Sequence, residues 1–199
     1  MITRLLRSGR HRFLKFASTI GVDIVNAPKI NLVIENTNWA IYWVGEYIRR
    51  GIDSRYPGEV GIYQYPEYLN SRIIHFGTRD VFLFQKDGIS KSNRIVATCL
   101  HGNKGAVGEF DDSLDRFIEA SSNLSAIVTS NRLMEERLLK WGISGDILHR
   151  IPLGVDTTTF TPATDEIKHK IRNDLGIPKD RFCIGSFQKD GVGWEEGLQ

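Results

Sequence analysis

Two stretches of the chain carry residue types that could do chemistry. The first is Leu100, His101, Gly102, Asn103, Lys104 and Gly105, which follow directly on the apolar run Arg94–Cys99, RIVATC. Glycine and polar residues at a strand end are where open α/β sheets place their ligands, because backbone there can approach a bound group closely. The second is Ser186, Phe187, Gln188, Lys189, Asp190, Gly191, Val192 and Gly193, after the run Arg181–Gly185. Glycine lets backbone amides reach an anion and lysine adds a point charge, which makes Lys189 and Gly191 candidate phosphate-binding residues. Neither GxxxxGK[ST] nor GxGxxG is present, so spacing alone does not assign a phosphate loop. Cys99 and Cys183 both fall in apolar runs far apart in the chain. Two buried thiols are expected, with no disulfide framework and no metal site.

The elements that must position these residues can be read from period and punctuation. Asn31–Glu35 reads as a buried strand, and Asn38 can cap a helix in which Ile41, Val44 and Ile48 share a face and Gly51 is the expected stop. Residues 59–64 and 72–76 read as two more strands around a loop at Pro66, where Tyr56, Tyr63, Tyr65 and Tyr68 serve packing and anchoring. After the Arg94–Cys99 strand, Asp111 and Asp112 cap a helix with Leu114, Phe117 and Ile118 on one side. Leu124–Thr129 is the next strand. Ser130 is the expected cap of a helix bearing Met134, Leu138 and Trp141 and ending at Gly142, and 147–152 is a further strand. Thr164 caps a helix with Asp165 and Glu166 in its positive first turn, Ile167, Ile171 and Leu175 on one face, and Gly176 at its stop. Arg181–Gly185 is the last expected strand. Alternation of strands and helices implies a Rossmann-like α/β fold, a mostly parallel sheet with helices on both faces.

Composition bounds the rest. With 199 residues and 41% hydrophobic content, the chain can hold one good-sized domain and the start of another, not two complete α/β domains. The net charge of +2 conceals a basic arm: residues 1–30 hold six basic side chains and one acid, leaving −3 for the remainder. That asymmetry argues against a nucleic-acid-coating domain. On a helix, Ile2, Leu5, Leu6, Phe13, Phe16 and Ile20 share one face, with Arg4, Arg7, His11 and Lys15 roughly opposite. This is the pattern of a segment lying on an anionic membrane surface; a helix docked on its own domain and a frayed arm are the competing readings. No apolar run approaches the roughly 18 residues that span a bilayer, and the N-terminus lacks a signal peptide's apolar core, so a cytoplasmic protein, peripheral to a membrane through residues 1–20, is expected.

Four runs together resemble a known family. IPLGVDTTTFTP (151–162) resembles the P-x-G-V-D-x-x-x-F-x-P signature of family 4 (group 1) glycosyltransferases of the GT-B architecture. VATCLHG (96–102) is similar to the strand and HG loop of their acceptor domain, and SAIVTSNRLMEERLLKWGI (125–143) to their S-x-x-x-x-x-L-x-x-x-G helix. IRNDLGIPKDRFCIGSF (171–187) resembles the passage into their nucleotide-sugar-binding domain. The order of the four is more specific than any one of them.

The resemblance implies an enzyme that moves a sugar from a nucleotide-diphosphate donor to a glycan or lipid acceptor with retention at the anomeric carbon, with no metal and no resident cofactor. The family's HG histidine, near the donor sugar, maps onto His101. A neutral imidazole there can hydrogen-bond sugar hydroxyls while Gly102 lets the ligand approach, with Asn103 beside it. Asn38 and Trp39 occupy the loop where the family carries a Gly-Gly pair, and Trp39 could stack on a sugar ring or serve the core. His75 is a second candidate at the same sheet edge. Within the signature, Gly154 is expected in a turn of positive φ, Asp156 in an Asx turn, and Phe160 as an anchor.

The implied organisation is a basic arm (1–30), an acceptor-side domain (31–163) and a linker helix with the first strand of a donor-binding domain (164–199). The donor domain's E-x7-E motif and basic residues are missing, so the chain is expected to be a fragment inactive alone. A non-catalytic glycan- or membrane-binding module and half of a nucleotide-sugar epimerase are the alternatives.

Overall fold

The computed structural model describes residues 13, 14, 16, 26–35, 40–104 and 112–184. The chain divides into two compact units, Met1–Leu153 and Gly154–Gln199. In the first, strands β1 (Ile30–Val33), β2 (Val60–Ile62), β3 (Ile73–Phe76), β4 (Arg94–Thr98), β5 (Ala126–Thr129) and β6 (Leu148–Arg150) alternate with helices α1 (Ala40–Asp53), α2 (Arg79–Gln85), α3 (Asp112–Ala120) and α4 (Arg132–Lys140). All five strand pairs are parallel, in the order β2-β1-β3-β4-β5-β6. The expected Rossmann-like parallel sheet is therefore present.

Strand order reverses between β1 and β3. The connection from β1 steps outward to β2, whereas β3 to β6 step the other way, so right-handed crossovers place α1 on one face and α2, α3 and α4 on the other. Side chains alternate across the pleat. The face carrying Val33, Ile74, Phe76, Ala97, Cys99 and Ile127 forms the main core with Phe82, Leu114, Phe117, Met134 and Leu138. Edge-to-face rings tie α2 and α3 to β3, Phe76 against Phe82 at 5.5 Å and Phe82 against Phe117 at 6.0 Å. The opposite face carries Leu32 and Ile34, both buried, but His75, Val96, Thr98 and Val128 on it are only partly buried. Helix α1 lies on this face with no side chain at Gly45, where a Cβ would come 2.8 Å from the Ile34 side chain.

Several elements differ from the sequence expectation. Helix α1 continues through Gly51 to Asp53, since a glycine in a last turn weakens a helix without having to end it. Helix α2 was not expected at all: Thr78 caps it by accepting from Val81 N, and Asp80 sits in its first turn. The cap of α4 is Asn131, accepting from Met134 N at 2.8 Å, and Ser130 precedes it. Residues 181–184 form no strand, and Cys183 is exposed while Cys99 is buried. Of the basic arm expected at 1–30, only Phe13, Leu14, Phe16 and residues 26–30 are described, and Ile30 already opens β1; Phe13 and Phe16 have helical backbone and are 64% and 62% exposed. Among the described residues no helix is long and apolar enough to cross a membrane.

The second unit is a turn followed by helix α5 (Asp165–Asp174), capped as expected by Thr164 and stopped at Gly176, whose φ is +66°. In the turn, Asp156 Oδ1 accepts from the amide and hydroxyl of Thr158, and Oδ2 accepts from the Thr159 hydroxyl at 2.8 Å. These bonds hold the Asp156 carboxyl at a pKa of about 2, the Thr158 side chain contributing most. The expected Asx-type turn is present. Gly154 is not in the positive-φ region, and Phe160 is 69% exposed rather than anchored. The turn is thus carried by carboxylate hydrogen bonds and not by glycine geometry or a buried ring.

Candidate functional site

Open α/β sheets bind ligands beyond the carboxyl ends of the strands, where strand order reverses. In this chain that is the region past β1, β3 and β4. A cavity of about 30 Å³ lies there, lined by Ile34, Ile41, Val44 and Ile48 on one side and His75, Thr98 and Leu100 on the other. That volume is enough for roughly one water. Among the described residues its side-chain polar groups are His75 and Thr98, which satisfy each other: His75 Nε2 lies 2.8 Å from Thr98 Oγ1. Burial pushes the His75 pKa down to about 4. His75, expected as a second ligand-binding histidine, is a neutral mid-strand residue with an internal partner.

His101 is placed differently. It is exposed, one residue beyond Leu100, and does not line the cavity. Desolvation lowers its pKa from the ordinary histidine value and the Arg79 charge adds to that, against an opposing effect of Asp80. The ring is therefore the uncharged imidazole at neutral pH, with one donor and one acceptor nitrogen. Gly102 has φ +134°, a backbone region side chains rarely enter, and a Cβ there would lie 3.2 Å from Arg79 Nη1 and from Leu114 Cδ2. The backbone at this position favours glycine, and a Cβ would crowd both neighbours. Asn103 is exposed.

The loop is held from behind by three side chains that the sequence reading missed. Asn131 Nδ2 donates to Leu100 O at 3.2 Å, Arg79 Nη1 donates to His101 O, and Arg137 Nη1 donates to Gly102 O at 3.2 Å. Arg79, the first residue of α2, is only 5% exposed and also donates from Nε to Ser113 Oγ at 3.0 Å. The signal that could have found it is Thr78 with Asp80 two residues on, a helix start followed by Val81, Phe82 and Leu83. Cys99, under the loop, is buried with its thiol pKa raised by desolvation, which leaves it unreactive.

Asn38, Trp39, Lys189 and Gly191 lie outside the described residues. Of the expected site residues, the structure brings His101, Gly102 and Asn103 together in one loop, with His75 inside the neighbouring strand.

No family model matches the chain, and no curated protein matches it. Solved structures do. The crystal structure of Anabaena Alr3699/HepE in complex with UDP-glucose matches with a TM-score of 0.50 at 10% identity, over 74% of this chain and 50% of that one. The complexes of the same Anabaena protein with UDP, and with UDP and glucose, match at TM-scores of 0.48 and 0.47 and at 10% and 9% identity, with the same coverage. At such identity the likeness is one of fold. The chain spans about half the length of the structures it matches.

Proposed function

We propose that the chain is the acceptor-side part of a retaining, nucleotide-sugar-dependent glycosyltransferase, in which His101 hydrogen-bonds the donor sugar at the cleft beyond β4. The observation that carries this reading is the presentation of His101: an exposed imidazole whose pKa is lowered by desolvation and by Arg79, next to a glycine at φ +134°, on a loop past the strand ends. A neutral imidazole can give and take a hydrogen bond with vicinal hydroxyls without placing a second cation beside Arg79. The fold likeness to a protein crystallised with UDP-glucose supports the reading, as do the four runs of family-like sequence.

In this proposal Gly102 and Asn103 contact substrate, Asn38 and Trp39 face the acceptor side, and Lys189 and Gly191 approach the donor phosphates. The nucleotide sugar is substrate and there is no resident cofactor. Residues from 164 onward begin the donor-binding half, which supplies most of the charge that stabilises the departing diphosphate. The test is transfer of labelled sugar from a panel of nucleotide sugars to glycan and lipid acceptors, with that donor half present. Acceptor-dependent product is expected, and its anomeric configuration should match the donor's. Conversion of nucleotide sugar with no acceptor present would instead favour epimerase chemistry.

A second reading, peripheral membrane docking that brings a lipid acceptor to the site, is favoured by exposed aromatic side chains. Besides Phe13 and Phe16, Trp43 and Tyr47 on α1 are 40% and 46% exposed, and such rings settle at membrane interfaces. Cosedimentation with anionic vesicles should fall when residues 1–25 are removed and when salt is raised. Equal binding with and without the arm rules it out.

A further inference from the structure

The three side chains behind the 100–102 loop take three successive carbonyls, Leu100 by Asn131, His101 by Arg79 and Gly102 by Arg137. All three come from α2 and α4, which lie on the same face of the sheet. A trans peptide points its C=O and the next N–H in opposite directions. Carbonyls drawn toward the helices therefore turn the amides of His101, Gly102 and Asn103 away from them, and these amides have no acceptor among the described residues. Arg79 fits this arrangement poorly as a stability device alone. A guanidinium 5% exposed is costly without a close countercharge, and among the described residues the carboxylate paired with it, that of Asp80, is 3.8 Å away from Nε. Its hydrogen bonds go to Ser113 and to the loop carbonyl instead. Asn131 has two separable tasks, since Oδ1 caps α4 while Nδ2 holds Leu100.

We propose that Arg79, Asn131 and Arg137 are positioning residues that fix the 100–102 backbone, so that the His101 imidazole and the 101–103 amides face the ligand. This rests on the role given to His101 above, but the clamp itself can be tested without any sugar. Among the described residues the charged groups acting on His101 are Arg79 and Asp80 from the start of α2; Arg137 from α4 binds Gly102 O, and Lys104 on the same loop lies near Asp115.

The experiment is NMR on the full chain, reading 15N order parameters at 101–103 and the pH titration of the His101 ring. Asn131→Asp keeps the capping oxygen and removes the donor to Leu100, and Arg137→Met keeps the apolar stem and removes the donor to Gly102. In the double variant the order parameters at 101–103 should drop from about 0.85 to below about 0.6, while those of β4 and the melting temperature hold. Arg79→Met should shift the His101 midpoint upward, because a nearby positive charge is gone, and Arg79→Lys should return it toward the wild-type value. An unchanged loop in the double variant, or equal His101 midpoints in Arg79→Met and wild type, overturns the proposal; if Arg79→Met does not fold, the double variant decides alone. Failure of sugar transfer by an enzyme whose loop loosens as expected would count against the His101 reading and not against the clamp.

Discussion

His75 lies on β3 and His101 on the loop that follows the neighbouring β4, and burial separates their chemistry. The His75 pKa is depressed from 6.5 to about 4, so the unfolded chain binds more protons than the folded one between those values and stability falls as pH drops through that window. At 1.36 kcal/mol per pKa unit the loss by pH 4 is on the order of 3 kcal/mol. In melting curves from pH 7 to 4, His75→Gln should flatten the decline relative to wild type; parallel curves would show that His75 is not the group responsible. Gly102→Ala places a methyl group 3.2 Å from both Arg79 and Leu114 at a positive φ, and should cost about 1–3 kcal/mol in denaturant unfolding. For Asp156 the depressed pKa of about 2 has a simple reading, a carboxylate saturated by hydroxyl and amide donors. The turn should hold down to near that pH, and chemical shifts of Thr158 and Thr159 moving near pH 4 would contradict it. His101, Gly102 and Asp156 could be singled out from sequence because each is a chemically distinctive type in a punctuated stretch. For Arg79 the only signal is the helix start at Thr78, and for Asn131 and Arg137 there is none, because a charged or amide side chain at a helix cap or along a helix looks the same whether it faces water or a distant loop carbonyl.

At the scale of elements, the parallel strands and the longer helices were legible because apolar period and capping agreed along them. Helix α2 was not: seven residues span barely two turns, Phe84 points outward with 87% exposure, and the buried Arg79 interrupts the apolar stripe. The strand expected at 181–184 failed for the opposite reason, since an apolar run names a strand only if a neighbour is there to pair with it. Among the described residues, Phe182 and Ile184 are 91% and 87% exposed. The importance of α2 can be measured through its cap. Thr78→Ala removes the acceptor for Val81 N and should cost about 1 kcal/mol. Because Arg79 is the next residue, the same change should also perturb the amide signals of 101–103, some twenty residues away in sequence, and a stability loss with no change there would uncouple cap from loop.

For the whole molecule, the fold class followed from alternation, and the reversal of strand order between β1 and β3 explains why ligand chemistry is sought beyond β1, β3 and β4. What alternation could not reveal is how unequal the two sheet faces are, with one closed by three helices and the other covered by α1 over β1 and only partly buried from β3 onward. Nor could it tell that the cavity at the reversal is apolar, with His75 and Thr98 satisfying each other, which is why the proposed function puts the polar ligand at the neighbouring 100–103 loop. The chain matches half the length of its structural neighbours, and the proposed activity belongs to a molecule with both halves of the cleft. The proposed role of His101 is to stabilise the sugar as it is transferred. It is tested most directly by the steady-state rate of acceptor-dependent sugar transfer from nucleotide sugar, donor half present, in wild type and His101→Ala. A fall in kcat of about 10²-fold is expected, the usual effect of deleting one preorganised hydrogen-bonding group, with the donor KM changed far less; equal kcat values in the two proteins would contradict that role.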